Sequence, residues 1–108
     1  MIFPQKQLAK VMHHIQSLEP KNDMGERIRL QELEILYNSD MPDCIIVKHR
    51  YMGYRDGHDI DELRYNIFDS EGNISDARHF INDPNARWSF YHHCKELYFD
   101  GGELRAKK

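Results

Sequence analysis

The residues of this chain that are best able to bind a metal ion are its seven histidines and two cysteines. A zinc site needs three or four such ligands that converge on one point. The sequence contains neither a CxxC pair nor an HExxH helix, and the adjacent pairs His13–His14 and His92–His93 would diverge by about 100° on a helix. We therefore expect no metal site and no cofactor.

An acidic loop at residues 56–62 is the second candidate for ion binding. A calcium loop of the EF-hand type needs a glycine at its sixth position and a glutamate at its twelfth. Counted from Asp56, those positions hold Asp61 and Ile67. The spacing therefore predicts a solvated hairpin loop.

Cys94, which follows His93, is the residue to consider for nucleophilic catalysis. No nucleophile elbow and no cysteine-protease signature surrounds it. It also falls on the apolar side of a predicted helix, where a thiol is usually inert. The sequence has no glycine-rich phosphate-binding loop. These observations predict no catalytic residue and favour a protein that is not an enzyme.

The segment Lys48–Arg55 is the strongest candidate for a binding surface, because it interleaves basic and aromatic side chains. Positive charge can hold phosphates or carboxylates, and Tyr and Arg are enriched at protein hot spots. This segment belongs to a predicted strand that buries the face of Ile45, Val47 and Tyr51. The opposite face is left exposed, where it either binds a partner or is merely solvated. The predicted partner-binding residues are Lys48, Arg50, Met52, Tyr54 and Arg55.

Two functions are compatible with this surface. The first is a small non-enzymatic protein-binding module, such as an adaptor, an inhibitor or an immunity-type protein of a bacterium or mobile element. The alternative is a nucleic-acid-binding regulator that uses the Lys48–Arg55 strand together with a basic C-terminal tail. The formal net charge is −3, and acidic and basic residues are mixed along the chain. Because a protein that neutralises many phosphates is usually basic, the first function is favoured.

The elements that must position these residues follow from the hydrophobic periodicity. Residues 4–18 predict a helix, since apolar residues recur at three- and four-residue spacing and Pro20 prevents continuation. Residues 24–37 are ambiguous: Leu33, Ile35 and Tyr37 alternate as in a strand, but Leu, Glu, Gln and Arg dominate the segment. That composition favours a second helix.

The middle of the chain predicts three strands. Residues 44–54 contain three consecutive β-branched residues and are followed by Asp56-Gly57, a strong turn signal. Residues 63–68 form the second strand, and a third begins at Asn73, unless Ser75-Asp76 caps a short helix. The predicted core consists of Leu8, Val11, Ile15, Ile45, Val47, Tyr65, Ile67, Phe90 and Leu97, and we expect His49 among them as a hydrogen-bonded core residue.

The last segment predicts a helix that starts at Asp83 and Pro84 and stops at Gly101-Gly102. A competing interpretation makes residues 96–99 a strand that turns into residues 103–107. The helical wheel favours the helix, because its apolar residues fall within one arc.

The predicted fold is therefore α+β, with two N-terminal helices, a three-stranded antiparallel meander and a C-terminal helix. We expect one domain spanning residues 1–108, in which residues 100–108 form a flexible or loosely packed tail. A chain with so small a core could also hide apolar surface in a homodimer. The sequence predicts a cytoplasmic protein without a membrane partner. It has only two cysteines, no signal sequence at residues 1–16 and no long apolar run.

Overall fold

The computed structural model describes residues 3–18, 29–80 and 83–107, and within its strands the side chains of residues 29–32, 51–55 and 60 lie outside the description. The described residues form two helices and six strands. In chain order these are α1 (Gln5–Ser17), β1 (Arg29–Asn38), β2 (Ile45–Arg55), β3 (His58–Phe68), β4 (Ile74–Arg78), α2 (Pro84–His92), β5 (Cys94–Asp100) and β6 (Glu103–Ala106).

The six strands form one antiparallel sheet in the order β4-β3-β2-β1-β5-β6. The β2 strand is covered on both faces, because Ile45, Ile46 and Val47 are all completely buried. Successive side chains of a strand point to opposite faces, so a continuous apolar run requires cover on each side. Helix α1 supplies that cover on one face, and α2 supplies it on the other.

The face under α1 holds the larger core. Leu8 and Val11 of α1 pack there against residues of four strands, which are Ile45, Val47, Phe68, Leu97 and Leu104. The turn between β3 and β4 also contacts the helix, and there the exposed side chains of Lys6 and Glu71 form an ion pair at 2.8 Å. Gly72 lies so close to α1 that a Cβ atom there would come within 2.8 Å of Lys10, and its φ of +81° also favours glycine.

The prediction of a helix over residues 24–37 is wrong where the structure describes it. Residues 29–38 form β1, and residues 24–28 lie outside the described part. Its neighbours explain the difference, since β1 lies between β2 and β5 and buries Leu36 under α2 while Ile35 packs towards α1. Tertiary packing on two faces thus overrides the helical propensity of its Leu and Glu residues.

The C-terminal helix is also shorter than predicted. Helix α2 does begin at Pro84, with the Asp83 carboxylate accepting a hydrogen bond from the Ala86 amide at 2.9 Å, but it ends at His92. The competing strand interpretation of residues 96–107 describes the rest, because β5 and β6 pair across a Gly101-Gly102 turn. The segment expected to be a loose tail thus contains β6.

The predicted arrangement of two N-terminal helices and a three-stranded meander is therefore wrong. The described part of the chain has two helices and a six-stranded antiparallel sheet, which is still an α+β fold. The first helix and the two-residue turn at Asp56-Gly57 are confirmed. The predicted core residues are buried, apart from the half-buried Ile15 and Phe90. No helix within the described ranges is long and apolar enough to span a membrane.

Candidate functional site

A half-open cleft of about 340 Å³ lies between α2 and the hairpin formed by β2 and β3. Its floor is made by the strands on the α2 face of the sheet, and one side of α2 forms its wall. The residues around it are Lys48, Arg50, Asp61, Leu63, Tyr65, Arg87, Trp88 and Tyr91. Basic, acidic and aromatic side chains therefore meet at one concave surface, which is the usual shape of a binding site.

The floor of the cleft carries a two-pronged ion pair. Arg50 donates from Nε and from one terminal nitrogen to the two carboxylate oxygens of Asp61, at 2.8 and 2.7 Å. This hydrogen bonding lowers the pKa of the Asp61 carboxyl group. Both side chains are substantially exposed, so the pair shapes the surface and contributes little to stability.

The back of the cleft is closed by a network that ties α2 to the sheet. The Lys48 ammonium group lies 3.3 Å from a Glu34 carboxylate oxygen and 4.3 Å from the centre of the Tyr91 ring. The Tyr91 hydroxyl donates to the other Glu34 oxygen at 2.7 Å, and this hydrogen bond, with burial, raises the pKa of Tyr91 to about 12. Lys48 is only 8% exposed, so its charge is committed to this network.

The rim of the cleft carries groups that are accessible to a partner. Trp88 is 66% exposed and stacks on the His92 ring with 5.9 Å between ring centroids. The half-buried Arg87 forms no ion pair with any residue of the described ranges. An aromatic ring and a guanidinium group without an ionic partner among the described residues thus both border the cleft from the first turns of α2.

The cleft brings together two of the five residues predicted to bind a partner, Lys48 and Arg50. Lys48 was expected on an exposed face and is instead buried, because α2 covers that part of the strand. Met52, Tyr54 and Arg55 belong to β2 by their backbone, but their side chains lie outside the described part.

The sequence interpretation missed Arg87 and Trp88. The signal was an Arg-Trp pair at the start of a short helix, and both residue types are enriched at hot spots of protein interfaces. The helical wheel does not reveal this pair, because neither Arg87 nor Trp88 is among the residues that it assigns to the core. Only the topology shows that this end of α2 lies beside the β2–β3 hairpin.

A polar cluster of histidines lies on the other face, under α1. The Asn66 amide nitrogen is 3.2 Å from His14 Nε2 and 3.3 Å from His49 Nε2. Burial lowers the pKa of both histidines, that of His49 to about 4. An unprotonated Nε2 on each ring can accept from this amide, and the lowered pKa of each histidine favours that neutral form. His49 is 1% exposed, which confirms the expected hydrogen-bonded core histidine.

The described residues contain no group of three or more His, Cys, Asp or Glu side chains that could hold a metal ion. Cys94 donates to the Phe90 carbonyl oxygen at 3.3 Å, and burial raises the pKa of its thiol. A thiol in that setting is a poor nucleophile. The groups that line the described cleft are mainly charged and aromatic side chains.

Comparison with known proteins yields no family model, no curated protein and no solved structure that matches this chain.

Proposed function

We propose that this protein is a non-enzymatic protein-binding module, of the adaptor, inhibitor or immunity type, whose partner binds in the cleft between α2 and the β2–β3 hairpin. The observation that carries the proposal is the exposed Trp88 beside Arg87, which has no ionic partner among the described residues. Trp and Arg are the residue types that most often dominate the binding energy of a protein interface.

The charges around the cleft indicate what the partner presents. Three cations, Lys48, Arg50 and Arg87, face the single lining carboxylate of Asp61, and Glu34 behind the cleft neutralises Lys48. An acidic side chain of the partner can therefore pair with Arg87 without displacing an existing ion pair. An apolar neighbour of that side chain can cover the Trp88 ring, which adds contact area at a low cost in side-chain entropy.

The nucleic-acid alternative has weaker support from the same residues. Trp88 could stack on a base, but Lys48 is buried in its pair with Glu34 and Arg50 is held by Asp61. Because the carboxylates of Glu34 and Asp61 already compensate these two positive charges, Lys48 and Arg50 can contribute little to the neutralisation of phosphates. The two functions are distinguished by the salt dependence of binding.

A library of random peptides displayed on phage tests the proposal. We expect the protein to select peptides with an acidic residue beside an apolar one. The double variant Arg87→Ala/Trp88→Ala should weaken their binding by at least about 2 kcal/mol, or roughly thirtyfold. The matched control is Tyr98→Ala/Arg105→Ala, which removes an aromatic and an arginine that are cross-strand neighbours between β5 and β6, outside the cleft lining.

Equal loss in both double variants, or no selected peptide at all, would contradict the proposal. A labelled single-stranded oligonucleotide is the second probe. Binding of that probe that falls steeply between about 50 and 200 mM salt, and that is lost in Arg87→Ala/Trp88→Ala, would support the nucleic-acid alternative instead.

A further inference from the structure

The outer edge of β3 is longer than the strand that pairs with it. Strand β3 runs from His58 to Phe68, but β4 pairs only with its last part, from Tyr65 onward. After Arg78 the chain leaves the sheet edge, with Phe80 at a φ of +51°, and continues into α2. Within the described ranges, no strand pairs with residues 58–64 on that side.

The hairpin register shows which backbone groups point to that open side. Asp56 and Gly57 both have positive φ, at 53° and 82°, as in a type I′ turn, so the flanking pair Arg55 and His58 exchanges both backbone hydrogen bonds. Hydrogen bonding alternates along a strand, so the backbone N–H and C=O groups of even-numbered β3 residues bond to β2, and those of odd-numbered residues point away from β2. Ile67 follows this rule, because its carbonyl oxygen points to β4 and accepts a hydrogen bond from the Ser75 side-chain hydroxyl at 3.2 Å.

The residues with outward backbone groups are therefore Asp59, Asp61 and Leu63. The side chains of these odd-numbered residues lie on the α2 face, and Asp61 and Leu63 line the cleft. A strand added at this edge would consequently direct every second side chain to the same face, on the side of the sheet where Arg87 and Trp88 form the rim.

We propose that the outer edge of β3, at residues 58–64, accepts an extended segment of a partner protein as an additional strand, with an acidic side chain of that segment pairing with Arg87. This rests on the proposed function and specifies how the partner is bound. Backbone hydrogen bonds would supply affinity, and the cleft would supply specificity for the alternate side chains. Charged groups along the edge, including the Glu62–Arg64 pair, discourage indiscriminate strand pairing.

The test compares two substitutions at one position, with the phage-selected peptides as probes. Asp61→Ala and Asp61→Pro both remove the carboxylate, but only the proline removes the outward N–H. The β2–β3 ladder keeps its bonds in both, since proline is tolerated at a strand edge. We expect Asp61→Pro to bind the peptides about tenfold more weakly than Asp61→Ala, the loss typical of one interfacial hydrogen bond.

N-methylation of the peptide backbone is the second measurement, and it does not depend on the stability of a protein variant. An added strand bonds through alternate residues, so methylation should weaken binding about tenfold at every second position only. Uniform effects along the peptide, with equal binding by Asp61→Pro and Asp61→Ala, would overturn strand addition. If such peptides still depended on Arg87 and Trp88, the proposed function would survive that failure.

A second copy of this chain is the competing occupant of the edge. Sedimentation analysis of the protein alone distinguishes it from a peptide. If the protein is a dimer that dissociates in the Asp61→Pro variant and not in the Asp61→Ala variant, the proposal is overturned in favour of self-association. A monomer that binds peptides with the alternating pattern would support it.

Discussion

The two faces of the sheet differ in how completely a helix covers them. The core of the α1 face is covered by a thirteen-residue helix, and beneath it the Asn66 amide nitrogen lies 3.3 Å from His49 Nε2. The α2 face is covered by nine residues, which leave one end of the β2–β3 hairpin as the floor of a half-open cleft. The difference indicates that the first face holds the larger core, and that the second face combines a smaller core with the concave surface on which the proposed function depends.

The largest expected effect separates the two faces by their contribution to stability. Ile45 is completely buried under α1, so Ile45→Ala should lower the free energy of unfolding by about 2–5 kcal/mol through lost burial and the cavity left behind. Trp88 is mostly exposed on the other face, and Trp88→Ala should cost less than about 0.5 kcal/mol. Urea unfolding followed by circular dichroism measures both values. Similar losses for the two variants would show that the rim of the cleft belongs to the core.

The same contrast explains how much of the fold could be predicted from the sequence. Helix α1 was predictable because it buries one face only and therefore shows a helical repeat. Strand β1 was not, because a composition rich in helix-forming Leu, Glu, Gln and Arg outweighed the alternation of Leu33, Ile35 and Tyr37. Burial on both faces also places the apolar Leu36 within that alternation, which blurs the pattern of a strand. The end of α2 was missed for a related reason, since Leu97 belongs to the α1-face core and Cys94 packs on the α2 face.

The candidate site was predictable only in part. Lys48 and Arg50 were found because a strand with basic residues is visible in one local segment. Arg87 and Trp88 come from an element almost forty residues later, and only the chain reversal after β4 brings them beside that strand. The burial of Lys48 could not be predicted either, because its partners Glu34 and Tyr91 are assigned by topology.

Acidification should lower the free energy of unfolding through the histidines that lie under α1. The folded protein holds the pKa of His49 near 4, through burial first and the nearby charges of Arg64, His14 and His79 second, whereas an unfolded histidine titrates near 6.5. Below that value the unfolded chain binds more protons, so the free energy of unfolding should fall from about pH 6.5 towards about pH 4, by up to about 3 kcal/mol. The lowered pKa of His14 acts in the same direction.

Urea titrations at several pH values measure this dependence, with His49→Gln as the diagnostic variant. Its free energy of unfolding should change much less between about pH 7 and about pH 5 than that of the unaltered protein. His92→Gln, at the exposed rim of the cleft, is the matched control and should keep the full dependence. If His49→Gln retained it as well, the loss would arise elsewhere, and the histidine cluster would not distinguish the faces.

The smallest expected effect concerns the anchor of α2. Tyr91→Phe keeps the ring that packs against Lys48 and removes only the hydroxyl that donates to Glu34 at 2.7 Å. Because the acceptor is a carboxylate that is only partly exposed, the variant should lose about 1–2 kcal/mol of unfolding free energy. The control Tyr98→Phe, at a 40% exposed tyrosine of β5, should lose less than about 0.5 kcal/mol.

Equal stability of the two variants would mean that the hydroxyl of Tyr91 exchanges its bond to Glu34 for water without cost. The α2 face would then be held by the ring contacts of residues such as Phe90 and Tyr91, and the back of the cleft would be no more rigid than its rim.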